Sequence, residues 1–165
     1  MVILEKRVAG IKKSSLGRFV VQARRAAGVQ EATNVLVTNA KRMRRLNRQF
    51  RGKDKPTDVL SFPSSDGKGL KVAPSGEIAI CGEIAEENAE RFGHSPEQEV
   101  KILILHGMLH LAGFDHERDN GRMARKEAEL RRILHLPTGL LERVHNRVRS
   151  SSATRQGRKS RQGAL

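Results

Sequence analysis

Apolar residues recur along the chain with two different periods, and each period predicts a different kind of element. Short runs rich in Val, Ile, Leu and Phe predict β-strands at 2–7, 34–38, 57–62 and 76–81. Apolar residues three and four positions apart predict helices at about 12–27 and 39–50, followed by three more helical stretches. Because the strands come early and the helices late, we expect an α+β fold in which a mixed sheet of roughly four strands packs with helices.

One of the late helices has recognisable signals at both ends. In SPEQEVKILILHGMLHLAG, Ser95 is a favourable N-cap and Pro96 suits the first helical position. Gly113 can take the left-handed conformation that ends many helices, so the helix is expected to run from about 96 to 112. Its middle is apolar on nearly every side, which predicts that the helix is buried.

Three histidines in and after this helix have the spacing of metal ligands. The stretch HGMLHLAGFDH, residues 106–116, matches the metzincin pattern HExxHxxGxxH except at Gly107. His106 and His110 lie four positions apart and share a helix face, and the turn at Gly113 can bring His116 back to them. We therefore predict one bound divalent metal ion on the buried helix. Neutral imidazoles suit Zn²⁺ best, although Ni²⁺ and other borderline ions accept the same ligands.

Gly107 occupies the position of the glutamate that serves metzincins as the catalytic base. Three protein ligands leave a coordination position open, as in catalytic zinc sites, but proteolysis would need a carboxylate from elsewhere. Glu99, two helical turns before His106 on the same face, is the obvious substitute for that base, although it could equally be a favourable charge at the helix N-terminus or support the metal site from the second shell. Asp115 is a second candidate for orienting a ligand histidine. The remaining histidines lack such spacing and are interpreted as surface or core residues: His94, His135 and His145.

The charge balance indicates an anionic partner. The 165 residues include 32 Lys and Arg against 18 Asp and Glu, which gives a net charge of +14. A surplus of this size favours phosphate contacts, so nucleic acid or a ribosome is expected before a membrane. The sequence contains no Trp or Tyr on which bases could stack, so recognition is expected to depend on phosphates and shape.

Basic residues are concentrated in the second predicted helix and the loop after it. In KRMRRLNRQF, the apolar Met43, Leu46 and Phe50 share one face, and basic side chains cover the rest. This pattern fits a phosphate-facing helix, and it fits an ordinary solvated helix equally well. The candidate RNA-binding residues are Arg44, Arg45, Arg48, Arg51 and Lys53.

Other features bear on location and domain organisation. The single cysteine, Cys81, excludes an intrachain disulfide, and no apolar run approaches the length of a membrane span. The N-terminal residues lack a sustained apolar signal region, so a cytoplasmic protein is expected. Residues 1–145 are expected to form one domain. Residues 146–165 contain six basic and no acidic side chains and are expected to be a disordered tail.

Three stretches together resemble the YbeY family of bacterial endoribonucleases: NRQFRGKDKPTDVLSFP (47–63), GEIAI (76–80) and HGMLHLAGFDH (106–116). The resemblance implies a zincin-like domain whose metal is held by His106, His110 and His116, with His106 and Arg51 as catalytic residues. It also implies single-strand-specific RNA cleavage in 16S rRNA 3′-end maturation and ribosome quality control. The implied partners are ribosomal RNA and the small ribosomal subunit, with ribosomal proteins or a ribosome-assembly GTPase as further candidates.

The residues themselves leave two other functions open. The protein could be a ribosome-binding assembly factor whose metal is only structural, or a metalloprotease with a relocated base. An open metal site beside a basic helix favours a phosphodiester substrate, because a metal and a guanidinium can together stabilise charge on the phosphate. Arg51, at the end of that helix, is suited to this role because its planar guanidinium can contact two phosphate oxygens at once.

Overall fold

The computed structural model describes residues 1–63 and 75–137. The elements in chain order are β1 (Val2–Leu4), α1 (Lys13–Ala27), β2 (Ala32–Thr38), α2 (Ala40–Arg51), β3 (Val59–Phe62), β4 (Ser75–Cys81), α3 (Gly82–Phe92), α4 (Pro96–Leu111) and α5 (Arg122–Ile133). This is the α+β order predicted from the sequence, with the four strands placed before the last three helices.

The four strands form one mixed sheet in the order β1-β2-β4-β3. Strands β1, β2 and β4 run parallel, whereas β3 pairs antiparallel with β4. Because parallel neighbours need a crossover, α1 connects β1 to β2. The predicted mixed four-stranded sheet is therefore confirmed.

Two strands are shorter than expected for local reasons. Strand β1 ends at Leu4 because the N–H groups of both Glu5 and Lys6 donate to the single carbonyl of Val37, which breaks the regular ladder. Strand β3 begins at Val59 because its N–H donates to the side chain of Asp58 at 2.8 Å.

Alternate residues of the sheet belong to two different clusters. On β4, Ile78 and Ile80 belong to the main core, together with buried residues of α1 and α4. Ala79 lies in the smaller cluster, which includes Leu60 of β3 and Met43 of α2. Because successive side chains of a strand point to opposite faces, α1 and α4 lie on one face of the sheet and α2 lies on the other.

Helix α4 is the central helix of the main core. Ser95 caps its start and Pro96 is the first helical residue, as the sequence predicted, and Gln98 completes a capping box with Ser95. Every residue from Glu99 to Leu109 is buried except Lys101, which is half-buried. The helix ends one residue earlier than expected, and Gly113 has the predicted left-handed backbone, with a φ of 90°.

Two further expectations concern the C-terminal tail and membrane-spanning helices. The basic tail at 146–165 lies outside the described residues, as do His145 and the end of the proposed domain at 145. Within residues 1–63 and 75–137, no helix combines the length and apolar composition that crossing a bilayer requires.

Candidate metal centre and basic cleft

The three histidines predicted as metal ligands lie together. His106 and His110 project from α4, and His116 follows the turn after that helix. One ring nitrogen from each histidine lies within 4.8 Å of the others. His106 is buried, His110 is half-buried and His116 is exposed, so the cluster faces solvent on one side.

The donor set fits a tetrahedral metal ion. The Nε2 atoms of His106 and His110 are 3.2 Å apart. Two nitrogens that each bind zinc at about 2.0–2.1 Å in tetrahedral geometry would lie about 3.3 Å apart. Three imidazoles in this arrangement could hold one borderline divalent ion and leave one coordination position free.

The protonation state of His110 suits this role. Burial, followed by the neighbouring rings of His106 and His116, lowers the pKa of His110 to about 4. Arg51 contributes in the same direction, and a backbone hydrogen bond at Phe114 opposes the shift. At neutral pH the ring is therefore uncharged, which is the form that binds a metal.

A carboxylate from a different helix contacts the cluster. Oε2 of Glu127, on α5, lies 3.0 Å from Nδ1 of His106, and both residues are buried. Glu127 was not among the site residues predicted from the sequence. A signal was present, because Glu127 occupies the apolar face of α5 between the buried Met123 and Leu130, where an unpaired charge would be costly.

The two carboxylates proposed from the sequence have other contacts. Oε2 of Glu99 is 2.6 Å from Nε2 of His94, and Glu99 does not line the cavity that contains the cluster. Asp115 does line that cavity, and its Oδ1 accepts from the N–H of Glu117 at 3.1 Å. Asp115 therefore stabilises the turn that carries His116. The carboxylate that contacts a histidine of the cluster is that of Glu127.

The packing around Gly107 disfavours a glutamate at this position. A Cβ atom at this residue would lie 3.0 Å from two carbons of Ile78 and 3.1 Å from Oγ of Ser61. The Ser61 hydroxyl also donates to the Gly107 carbonyl at 3.3 Å. Residue 107 thus faces the sheet at close range, so a glutamate in the position of the metzincin base would require Ile78 and Ser61 to shift.

We expect Gly107→Ala to destabilise the protein relative to Gly17→Ala. Both glycines lie inside helices, where alanine is favoured by about 1 kcal/mol. A Cβ at Gly17 meets nothing within 4 Å, whereas overpacking at Gly107 should cost about 1–3 kcal/mol. Chemical denaturation of the two variants should show this difference. Equal stabilisation by both substitutions would contradict the close packing of α4 on the sheet.

The histidine cluster opens into a cavity of about 650 Å³ that also contains Arg51. The lining residues are Arg51, Thr57, Asp58, Val59, Ser61, His106, His110, Gly113, Phe114, Asp115, His116 and Glu117. The structure therefore places the predicted arginine and the three predicted ligands around one cleft.

Contacts at the end of α2 fix the chain around Arg51. This arginine is the last helical residue, and Gly52 ends the helix with a left-handed φ of 66°. The loop then folds back, because the buried Asn47 side chain donates to the carbonyl of Lys55 at 2.7 Å. The chain continues directly into Thr57 and Asp58, which line the cavity.

The basic residues proposed to bind RNA are all exposed: Arg44, Arg45, Arg48, Arg51 and Lys53. Arg44 donates two hydrogen bonds to Asp54, at 2.9 and 2.8 Å, and this hydrogen bonding lowers the pKa of the Asp54 carboxyl. Arg48 lies 3.9 Å from the same carboxylate. Asp54 therefore offsets part of the positive charge of this surface, while Arg51 lines the cavity.

The fold and the site define a small α+β protein with a candidate three-histidine metal centre in a cleft that contains an arginine. A protein-family model described as Endoribonuclease YbeY matches residues 5–135. The chain belongs to this family.

Named relatives agree with the family match. Endoribonuclease YbeY from Koribacter versatilis is 53% identical over 145 residues, which cover 87% of this chain and 91% of the relative. The protein of the same name from Solibacter usitatus is 45% identical, with 88% of this chain and 95% of the relative covered. A solution structure from Thermotoga maritima is 32% identical, with a TM-score of 0.49 over 78% of this chain and 85% of that chain.

Proposed function

We propose that this protein is a metal-dependent endoribonuclease that cleaves single-stranded RNA. The observation that carries the proposal is the single cavity shared by Arg51 and the three histidines. Family membership supplies the reaction class, since the relatives are named as endoribonucleases. A fold of the zincin type, with the metal on a buried helix, is part of the same proposal.

Each part of the cleft would have a separate task. Neutral His106, His110 and His116 would hold one divalent ion, most simply Zn²⁺. Such an ion supplies Lewis acidity to a phosphate and lowers the pKa of water. Arg51 would bind non-bridging phosphate oxygens and stabilise the charge that develops on them. The exposed basic residues of α2 and the loop after it would position the RNA backbone beside the cleft.

The proposed substrate is the 3′ end of 16S rRNA, with a role in ribosome quality control. The net charge of +14 supports a large anionic partner, and the basic surface beside the cleft supports binding through phosphates. The small ribosomal subunit, ribosomal proteins and a ribosome-assembly GTPase are the partners proposed with this substrate. A protein that acts on ribosomes in this way would work in the cytoplasm.

The proposal is tested by removing and restoring the metal. We expect a single-stranded RNA oligonucleotide to be cleaved, cleavage to stop after EDTA treatment, and activity to return when Zn²⁺ is added after the chelator is removed. The control substrate is the same RNA annealed to its complement. This duplex should be cleaved much more slowly than the single strand. Metal removal that leaves RNA cleavage unchanged would contradict the metal-dependent mechanism.

The two alternative functions predict different results in the same samples. An assembly factor with a structural metal would bind the small subunit and lose stability in EDTA, but it would cleave no RNA. A metalloprotease would cleave casein, using one of the carboxylates near the cluster as its base. Asp58, Asp115 and Glu117 line the cavity, whereas glycine occupies the usual position of that base and its packing disfavours a larger side chain.

A further inference from the structure

We propose that Glu127 is a positioning residue that fixes the tautomer of His106 and aims its Nε2 at the metal position. The inference rests on the proposed function, because it assumes that the three-histidine cluster holds a metal. It assigns a role to a residue of α5, an element that the sequence motifs do not include.

The contact points to the ring nitrogen of His106 that carries the proton. Nδ1 lies 3.0 Å from Oε2 of Glu127. An ionised carboxylate can only accept hydrogen bonds, so a neutral His106 facing it carries its proton on Nδ1. The lone pair is then on Nε2, which lies 3.2 Å from Nε2 of His110. The tautomer set by Glu127 is therefore the one that lets His106 join the cluster.

The place of Glu127 on its helix is difficult to explain by packing alone. Met123 and Leu130, on the same face, are 0% and 2% exposed, and Glu127 between them is 1% exposed. An apolar side chain would fill this position without the cost of removing a carboxylate from water. Glu99, by comparison, is equally buried but contacts His94 outside the cavity. Of these two buried carboxylates, Glu127 is the one for which the structure shows a contact with a histidine of the cluster.

The start of α5 holds Glu127 in register with the cluster. Asp119 accepts from the N–H groups of Gly121 at 3.0 Å and Met123 at 2.7 Å, which fixes the first turn of the helix. Asp119 follows His116 by three residues, so one short segment connects the third histidine to the helix that carries Glu127. A metal-bound histidine commonly donates its other N–H to a carboxylate, which fixes the ring and raises its basicity.

The first test measures the zinc dissociation constant of Glu127→Gln by competition with a chromogenic chelator. We expect zinc binding to weaken by about 10–100-fold, the range typical for loss of such a partner. Glu129→Gln is the matched control, because it removes a carboxylate that lies on the same helix and pairs with Lys126 at the surface. The control should bind zinc as the wild type does. A folded Glu127→Gln protein with wild-type zinc affinity would overturn the proposal.

The second test needs no metal, and its deciding measurement is made on the wild-type protein. Long-range ¹H–¹⁵N spectra of the metal-free wild type distinguish the two neutral tautomers, and the His106 signals can be assigned with His106→Ala. We expect the proton of His106 on Nδ1, and we expect the Nδ1-protonated fraction to fall in Glu127→Gln. A wild-type His106 with its proton on Nε2 would overturn the proposal, whatever the variants do.

The two tests also separate this inference from the proposed function. If the wild type binds no zinc, the metal-dependent function fails, while the spectrum still decides whether Glu127 sets the tautomer. If the wild type binds zinc and Glu127→Gln only melts at a lower temperature, with unchanged affinity and tautomer, Glu127 is a structural residue and the inference is wrong.

Discussion

Replacing any one of His106, His110 and His116 with alanine should abolish stable metal binding. We expect about one equivalent of divalent metal in the wild type and a small fraction of that in each variant, because each substitution removes one of three protein ligands. Elemental analysis of the purified proteins after dialysis measures this directly. RNA cleavage should be lost to the same extent.

The three variants differ in how much they disturb the fold. His106→Ala also removes one buried hydrogen-bonding partner of Glu127, so a loss of stability is expected there. His116 is exposed, and His116→Ala is therefore the most informative variant. His135→Asn is the matched control, since His135 is an exposed histidine outside the cluster and asparagine tolerates its positive φ of 54°. Full metal occupancy in all three cluster variants would contradict the site.

Replacing Arg51 with alanine should lower RNA cleavage by about 10²–10³-fold while metal content stays at the wild-type level. This is the effect typically seen when one preorganised donor to a developing negative charge is removed. Arg51→Lys should recover only part of the activity, because an ammonium group cannot form the two parallel contacts of a guanidinium. Single-turnover cleavage rates and metal analysis on the same preparations give both quantities.

The control for Arg51 must remove the same charge elsewhere on the surface. Arg18→Ala is suitable, because Arg18 is exposed on α1 and does not line the cavity. It should retain nearly full activity. If Arg51→Ala cleaves RNA as fast as Arg18→Ala, the arginine is an ordinary surface residue and the proposed mechanism is wrong.

The parts of the fold that were predicted correctly depend on neighbours in sequence. Ser95, Pro96 and Gly113 define α4 through caps and backbone preferences that act within a turn or two. The spacing of His106 and His110 is likewise a local property of a helix. These signals were sufficient to predict both the helix and the cluster.

The parts that were missed depend on contacts between distant residues. Glu127 reaches His106 across 21 positions. The contact of Glu99 with His94 spans only five positions, but it joins α4 to the loop before it, which periodicity does not predict. Phe50 was assigned to the apolar face of α2, yet it is 57% exposed and contacts Phe62 edge-on, with ring centroids 4.8 Å apart. Periodicity identifies the face of a helix, but it does not show how far the neighbouring sheet covers that face.

The association of Arg51 with the histidines also required three-dimensional information. Nothing in the spacing of the chain connects residue 51 to residues 106–116, and only the family resemblance implied a shared site. The structure provides the physical basis, because α2 ends beside β3 and the loop held by Asn47 continues into the wall of the cavity.

The central claim is that one cleft holds a metal and uses it to cut RNA. The most direct measurement follows metal content and single-stranded RNA cleavage across the same chromatographic fractions of wild-type protein, with His116→Ala purified in parallel. We predict that cleavage rises and falls with the metal-bound protein and is absent from the His116→Ala fractions. Cleavage that separates from the metal-bound protein, or that remains undiminished in metal-free His116→Ala, would contradict the account.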